Sequence, residues 1–261
     1  MRTLAICGSG SGALADRVAG GLDGRVGVVR EDAPDGGLTT ARATTTYRHG
    51  ESGWTATGPE DLSLDDVLDR LAPDHDYALV LDRADTDLPA VALGDADPAG
   101  DVLASAETAD SVDLDALAEA LEETEPRETL ESLVARVKRS PKAPLSGAIA
   151  TFTGRVRAKE HEADTPTEYL QFEKYEGVAD RRMRTIESEL EEREGILDVV
   201  MHHRTGVVPD GEDIVFVVVL AAHRREAFET VEDGIDRLKD EVPLFKKEVT
   251  AEETFWVHER D

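Results

Sequence analysis

The sequence predicts two domains of different class, an α/β domain with a mainly parallel sheet followed by an α+β domain. Three observations carry this reading. The first 124 residues alternate short apolar runs with stretches of helical spacing, the rhythm of a parallel sheet with crossover helices. The second half sets one long apolar run, "DIVFVVVLAA" (213–222), among shorter strands and two amphipathic helices. The charge balance also changes: residues 1–126 hold 8 basic and 27 acidic side chains, residues 127–261 hold 21 and 30.

Each element follows from its residues. "TLAIC" (3–7) reads as a buried strand, "GSGSG" (8–12) as a tight loop and "ALADRVAGGL" (13–22) as a helix closed by glycine. "RVGVV" (25–29), "YALVLD" (77–82), "AVAL" (90–93) and "DVLAS" (101–105) read as further strands, with helices at 64–71 and 113–123. Residues 125–146 supply a short helix at 128–139 and a Pro-containing linker, so the domains are set at 1–124 and 147–261. In the second, 147–156 reads as a strand leading into a turn, 168–176 and 213–222 as strands, 196–206 as a strand ended by a turn, and 243–249 and 254–259 as short closing strands. The helix over 178–194 has Ala179, Met183, Ile186 and Leu190 on one stripe. The helix over 225–241 is expected to bury Phe228, Val231, Ile235 and Leu238, which sets Lys239 at the edge of the core.

Composition excludes several classes of function. With a formal net charge of −28, neither half has the basic footprint of a nucleic-acid binder. Heavy acidity with arginine used in place of lysine suits a salt-rich cytoplasm, where high ionic strength screens self-repulsion. No stretch approaches the ~20 apolar residues of a membrane span. The opening "MRTLAICGSGSG" meets glycine too soon for the apolar region of a signal peptide, so a cytoplasmic protein is expected. A single cysteine, Cys7, rules out an intrachain disulfide and a thiolate zinc cluster, and its place at the end of an apolar run reads as a small buried hydrophobe. "DADPAGD" (95–101) resembles the start of a calcium loop, but Ala99 and Ala106 stand where ligands are needed. No metal or cofactor is expected.

The glycine loop invites a test as a phosphate cradle. A P-loop needs G-x-x-x-x-G-K-[ST], with lysine for the β/γ charge and a hydroxyl for Mg²⁺. With Gly12 as the second glycine, Ala13 replaces the lysine and Leu14 the hydroxyl residue. "LAICGSGSGALADRVAGGL", "YALVLDRADTDLPAVALGD" and "DVLASAETADSVDLDALAEAL" nevertheless resemble the P-loop domain of the molybdopterin-guanine dinucleotide biosynthesis accessory protein. The first domain is therefore expected to be a degenerate P-loop domain, with that family's GTP chemistry not carried over.

The second half concentrates cations. Only seven lysines occur, none before Lys138, and three of them crowd into "DRLKDEVPLFKKE" (236–248). Further groups stand in "GRVR" (Arg155, Arg157), "HHR" (His202, His203, Arg204) and "AAHRR" (His223, Arg224, Arg225), most of them just past a predicted strand or helix end. Their convergence suits an anionic small molecule, a phosphate above all. A lysine at a core edge loses hydration, which fits Lys239 for acid–base or covalent work. Pro243 ends the helix and lets Lys246 return towards it. Strand alternation points Lys247 away from Lys246, towards solvent or a rim. Equally, Lys239 can snorkel from a core edge, and His202, His203 and Lys247 can be plain surface groups.

"GAIATFTGRVR", "LQFEKYEGVADRRM", "VVMHHRTGVVPDGEDIVFVVVLAAHRREAFE", "IDRLKDEVPLFKKE" and "FWV" together resemble, in order and spacing, the catalytic (large) subunit of molybdopterin synthase. The resemblance implies an α/β hammerhead-like domain that takes cyclic pyranopterin monophosphate (precursor Z) as substrate. It implies a small ubiquitin-like sulfur carrier whose C-terminal Gly-Gly thiocarboxylate enters a pocket and gives two sulfurs in succession. It implies a homodimer of large subunits within a heterotetramer, with no bound cofactor. Lys239 and Lys246 match the two catalytic lysines, with Lys239 expected to be the more buried. Arg155, Val156 and Arg157 match the substrate-binding turn, His223 and Arg224 the "HR" pair, and Lys246, Lys247 and Glu248 the closing binding segment, while Arg260 matches a basic residue near the C-terminus. Two other readings stay open: a non-catalytic module that docks a ubiquitin-like carrier or assembly partners, and a nucleotide-dependent enzyme run by the first half.

Overall fold

The alternation of short apolar runs becomes a parallel sheet in the computed structural model, which describes residues 1–31, 46–50, 53–58, 62–159, 161–162, 164–175, 177–250 and 254–257. The chain divides into two units, Met1–Thr129 and Leu130–Asp261. The first runs β1 (Arg2–Cys7), α1 (Ser11–Gly21), β2 (Val26–Val29), β3 (Thr46–Gly50), β4 (Gly53–Thr57), α2 (Leu64–Leu71), β5 (Tyr77–Leu81), β6 (Ala90–Leu93), β7 (Val102–Ala106) and α3 (Leu114–Glu122). Five strands form one sheet in the order β2-β5-β1-β6-β7, and every pair is parallel.

Such a sheet is covered on both faces, so its central strands are apolar throughout. On β5, Leu79 and Leu81 meet Leu14 and Val18 of α1 and Leu117 and Leu121 of α3. Ala78 and Val80 face Leu68 of α2 on the other side. Gly8 follows β1 with φ +105°, and a Cβ there would stand 2.3 Å from the Leu93 carbonyl oxygen, so only glycine fits. The antiparallel hairpin β3–β4 is an addition to the elements expected from the sequence. Its Thr, Tyr and Trp residues favour strands but form no apolar run.

The second unit runs α4 (Leu130–Lys138), β8 (Ala148–Arg155), β9 (Thr167–Lys174), α5 (Val178–Glu191), β10 (Ile196–His203), β11 (Gly206–Pro209), β12 (Asp213–Ala221), α6 (Arg224–Glu241), β13 (Leu244–Thr250) and β14 (Thr254–Val257). Its strands make two antiparallel sheets, β10-β12-β8 and β11-β9-β13-β14. The long apolar run is β12, the centre of the first sheet. Its Val215, Val217, Val219 and Ala221 join the cluster under α5 and α6, where Ala179, Met183, Ile186 and Leu190 are all buried. Its Phe216, Val218 and Leu220 face Leu133 and Val137 of α4, both fully buried. The stretch read as a helix and linker therefore contributes one layer of the second unit's core.

One strand is added and one expectation is corrected. The strand ended by a turn over 196–206 runs to His203, and past the turn Gly206, at φ +78°, opens a further strand, β11, which pairs with β9 in the second sheet. Phe228 is not in the stripe of α6 but 66% exposed. The buried face is Ala227, Thr230, Val231, Gly234, Ile235 and Leu238. A Cβ on Gly234 would stand 3.0 Å from Val217 Cγ1, so small side chains let α6 lie close to β12. That close approach rotates the contact face and leaves Phe228 on the solvent flank.

Candidate active site

The site begins where β8 ends. The Val156 N–H donates to the Glu212 carbonyl at 2.8 Å, and the Val156 carbonyl accepts from Gly211 N–H at 2.9 Å. Val156 is 2% exposed and packs with Leu170, Phe172 and Val208. Burial of this one side chain leaves its neighbours Arg155 and Arg157 facing solvent. Arg155 folds back on the 210–213 turn, donating from Nε to the Gly211 carbonyl at 3.0 Å and pairing with Asp213 at 3.4 Å. Arg204 pairs with the same turn, with Nη1 3.6 Å from Glu212. Arg155 thus braces the turn, and Arg157 is the arginine presented beyond it.

The second sheet supplies the lysine. In the β13–β9 register Lys246 lies opposite Phe172 and Glu248 opposite Leu170. Cross-strand partners share a face, so Lys246 and Glu248 stand on the side where Phe172 and Leu170 pack on Val156. Lys246 is half-buried. Lys247 lies opposite Gln171, on the other face. The Glu248 carboxylate accepts from the Thr167 hydroxyl. His203 is buried, its Nδ1 is 2.7 Å from the Arg204 carbonyl, and its ring meets Phe172 edge-on with centroids 4.7 Å apart. His202 is half-buried and stacks on Phe216.

The expectation that Lys239 is the more buried lysine is overturned: Lys239 is exposed and Lys246 is the half-buried one. Once the contact face of α6 turns towards Leu238, its neighbour lands on the flank. That removes the desolvation premise for Lys239. The last turns of α6 are instead fastened to α5 by arginine. Arg237 pairs with Glu241 at 2.8 Å and with Glu189, and Arg182 pairs with Glu241. Lys239 and Lys246 flank the corner at Val242–Pro243 where α6 gives way to β13.

His223 and Arg224 do not join this cluster. His223 stands at the N-cap position of α6, without a side-chain capping bond, and Arg224 begins the helix, both exposed. Along the β8–β12 pair Asp213 lies opposite Arg155, whereas Ala221 lies opposite Ala148. The eight steps of β12 span about 26 Å, and the fifteen residues from Arg224 to Lys239 span about 22 Å of helix. The convergence expected from the sequence therefore holds for Arg155, Val156, Arg157, Lys246 and Glu248, with Lys239 at the same end, and fails for His223 and Arg224. Arg260 lies outside the described residues.

Carboxylates close one sheet edge nearby. β10 is an edge strand, and its outward N–H groups at Val199 and Met201 donate to Glu191 (3.1 Å) and Glu187 (2.6 Å) of α5. Burial pushes the Glu187 carboxyl above its ordinary range. Cys7 is buried, and burial followed by the nearby Asp82 carboxylate pushes its thiol up. Among the described residues no group of three or more His, Cys, Asp or Glu side chains could hold a metal ion, and no helix is long and apolar enough to cross a membrane.

Comparison with known proteins gives this arrangement its class and then its family. A family model described as MoaE protein matches residues 122–241. The chain is 54% identical over 263 residues to a probable molybdopterin synthase from Haloferax volcanii, a match covering 100% of both chains. It is 39% identical over 112 residues to the molybdopterin synthase catalytic subunit of Pyrococcus abyssi, covering 43% of this chain and 74% of that one. The crystal structure of molybdopterin synthase from Staphylococcus aureus is 29% identical and superposes with a TM-score of 0.45, over 52% of this chain and 93% of that one. The class is a sulfurtransferase of molybdenum cofactor biosynthesis, carried behind an α/β unit. The chain belongs to the MoaE family of molybdopterin synthase proteins.

Proposed function

We propose that the second unit is the catalytic subunit of molybdopterin synthase and converts precursor Z to molybdopterin. The observation that carries this reading is the β13–β9 register, which sets Lys246 on the face that packs against the Arg157 turn. An arginine suits the substrate phosphate, and a half-buried ammonium suits the charge that develops as sulfur moves. The sulfur arrives as the thiocarboxylate of a small ubiquitin-like carrier with a C-terminal Gly-Gly tail. Two sulfurs pass in succession, the cyclic phosphate opens, and the dithiolene results. Lys246 and Lys239 neutralise the thiocarboxylate and the departing carboxylate, and move protons as bonds to oxygen break. Arg157 holds the substrate phosphate, while Val156 and Glu248 set the shape of the cradle. Lys247 serves at most at its rim.

His223 and Arg224, at the start of α6 beyond the far end of β12, lie too far away to reach this cradle within one chain, and a second copy of the chain supplies them in a homodimer. One small subunit docks on each large one, giving a cytoplasmic heterotetramer with a hammerhead-like catalytic domain at its centre. The first unit is read as a degenerate P-loop domain. Its strand order places β1 between β5 and β6, and Ser11 Oγ donates to Asp82 at 3.0 Å, while Ala13 stands where the phosphate-binding lysine belongs.

The deciding experiment reconstitutes the reaction with the full chain, and with the chain from Leu130, using thiocarboxylated carrier and precursor Z. Molybdopterin formed by both sustains the reading. A chain that binds the carrier without turnover is a docking module, and turnover that needs GTP makes the first unit a working nucleotide domain.

A further inference from the structure

Strict alternation along β9 would point Thr167 outwards with Tyr169 and Gln171, yet Thr167 is only 6% exposed. The cause is a register shift. Val249 lies opposite Tyr169, but Thr250 lies opposite Thr167, so Glu168 has no partner on β13. An extra residue of this kind bends the strand and turns the next side chain to the other face. Three links converge at this bend. The Glu168 carbonyl accepts from Asp210 N–H at 3.0 Å, in the turn that Arg155 braces. The Thr167 N–H donates to the Ala158 carbonyl at 2.8 Å, directly after Arg157. The Thr167 hydroxyl donates to the Glu248 carboxylate on β13, two residues from Lys246.

We infer that Thr167 is a positioning residue for the sulfur-transfer site, a role that rests on the catalytic reading above. It ties the backbone beside Arg157 to the strand that carries Lys246, so that phosphate-binding and sulfur-handling groups keep one spacing. Glu248 acts in the same device: its carboxylate is the acceptor that fixes β13, not a group turned to substrate.

Thr167→Val removes the hydroxyl at nearly constant volume from a buried position, and Thr167→Ser restores the donor. Thr167→Val raises KM for precursor Z about tenfold with kcat within about threefold, the size of one charge-assisted hydrogen bond. Thr167→Ser stays within about twofold of wild type. In parallel, amide hydrogen exchange at 157–158 and at 246–248 accelerates together by about tenfold in Thr167→Val and recovers in Thr167→Ser. Unchanged KM and exchange in Thr167→Val overturn the inference. So does faster exchange in only one of the two segments, or a Ser variant as impaired as Val. A wild-type chain with no turnover sinks the catalytic reading, and the exchange data then decide the coupling alone. Should Val fail to fold, Thr167→Ala replaces it in both measurements.

Discussion

The separation of His223 and Arg224 from the lysine end makes a quantitative prediction. Arg224 opens α6 and Lys246 stands past its far end on β13, with about 22 Å of helix between Arg224 and Lys239. Arg224→Ala and Lys246→Ala each lose activity alone, by roughly ten- to hundredfold for every charge-assisted hydrogen bond removed. In a two-fold dimer whose sites each draw Lys246 from one copy and Arg224 from the other, a mixed dimer holds one intact site and one with both defects. Random assembly of equal amounts makes half the dimers mixed, so about a quarter of all sites are intact. Co-expressing the two variants with different tags, purifying the unfractionated pool and measuring molybdopterin formation tests this directly. Recovery to about a quarter of wild-type activity is expected, and about half in dimers selected for both tags. A pool that stays at the level of the single variants refutes sharing between copies. Full activity in Arg224→Ala alone removes that residue from the site.

Further outcomes follow from individual contacts. Lys246→Ala lowers conversion of precursor Z by roughly ten- to hundredfold while carrier binding, read by calorimetry, stays within about threefold. Gly154→Ala places a Cβ 2.5 Å from Val215 Cγ1 and costs about 1–3 kcal/mol in urea unfolding, the usual penalty of overpacking. The Glu187 carboxyl is raised in the folded state, so the fold binds its proton more tightly than the unfolded chain does. Stability from this group is present at low pH and is lost as pH rises through the raised value. Glu187→Gln keeps an oxygen acceptor for Met201 N–H, so its melting temperature gains on wild type from acid to neutral pH, and a constant difference contradicts the burial argument. Finally, with a net charge of −28 the melting temperature rises with KCl towards molar concentration, and a flat salt profile would show that self-repulsion is unimportant in this chain.

What is legible in the sequence is local. The parallel-sheet rhythm of the first unit, the buried run of β12 and the stripe Ala179, Met183, Ile186 and Leu190 are periodic signals a few residues long. What is hidden depends on pairing between distant strands. Nothing near residues 196–206 announces that β10 and β11 enter different sheets. The antiparallel pairing of β8 with β12, which sends the two basic motifs to opposite ends, involves strands some sixty residues apart. The exposure of Lys239 escapes the helical pattern because apolar spacing alone cannot tell which flank of a helix touches a sheet. The small residues Ala227, Thr230 and Gly234 hold that information. Thr167 carries no signal, since the extra residue that reverses its direction is set by the register with β13.

The first element of the second unit is α4, and the join between the units precedes it. A gene segment that starts at Leu130 carries the helix that seals Phe216, Val218 and Leu220, whereas one that starts at Gly147 leaves them bare.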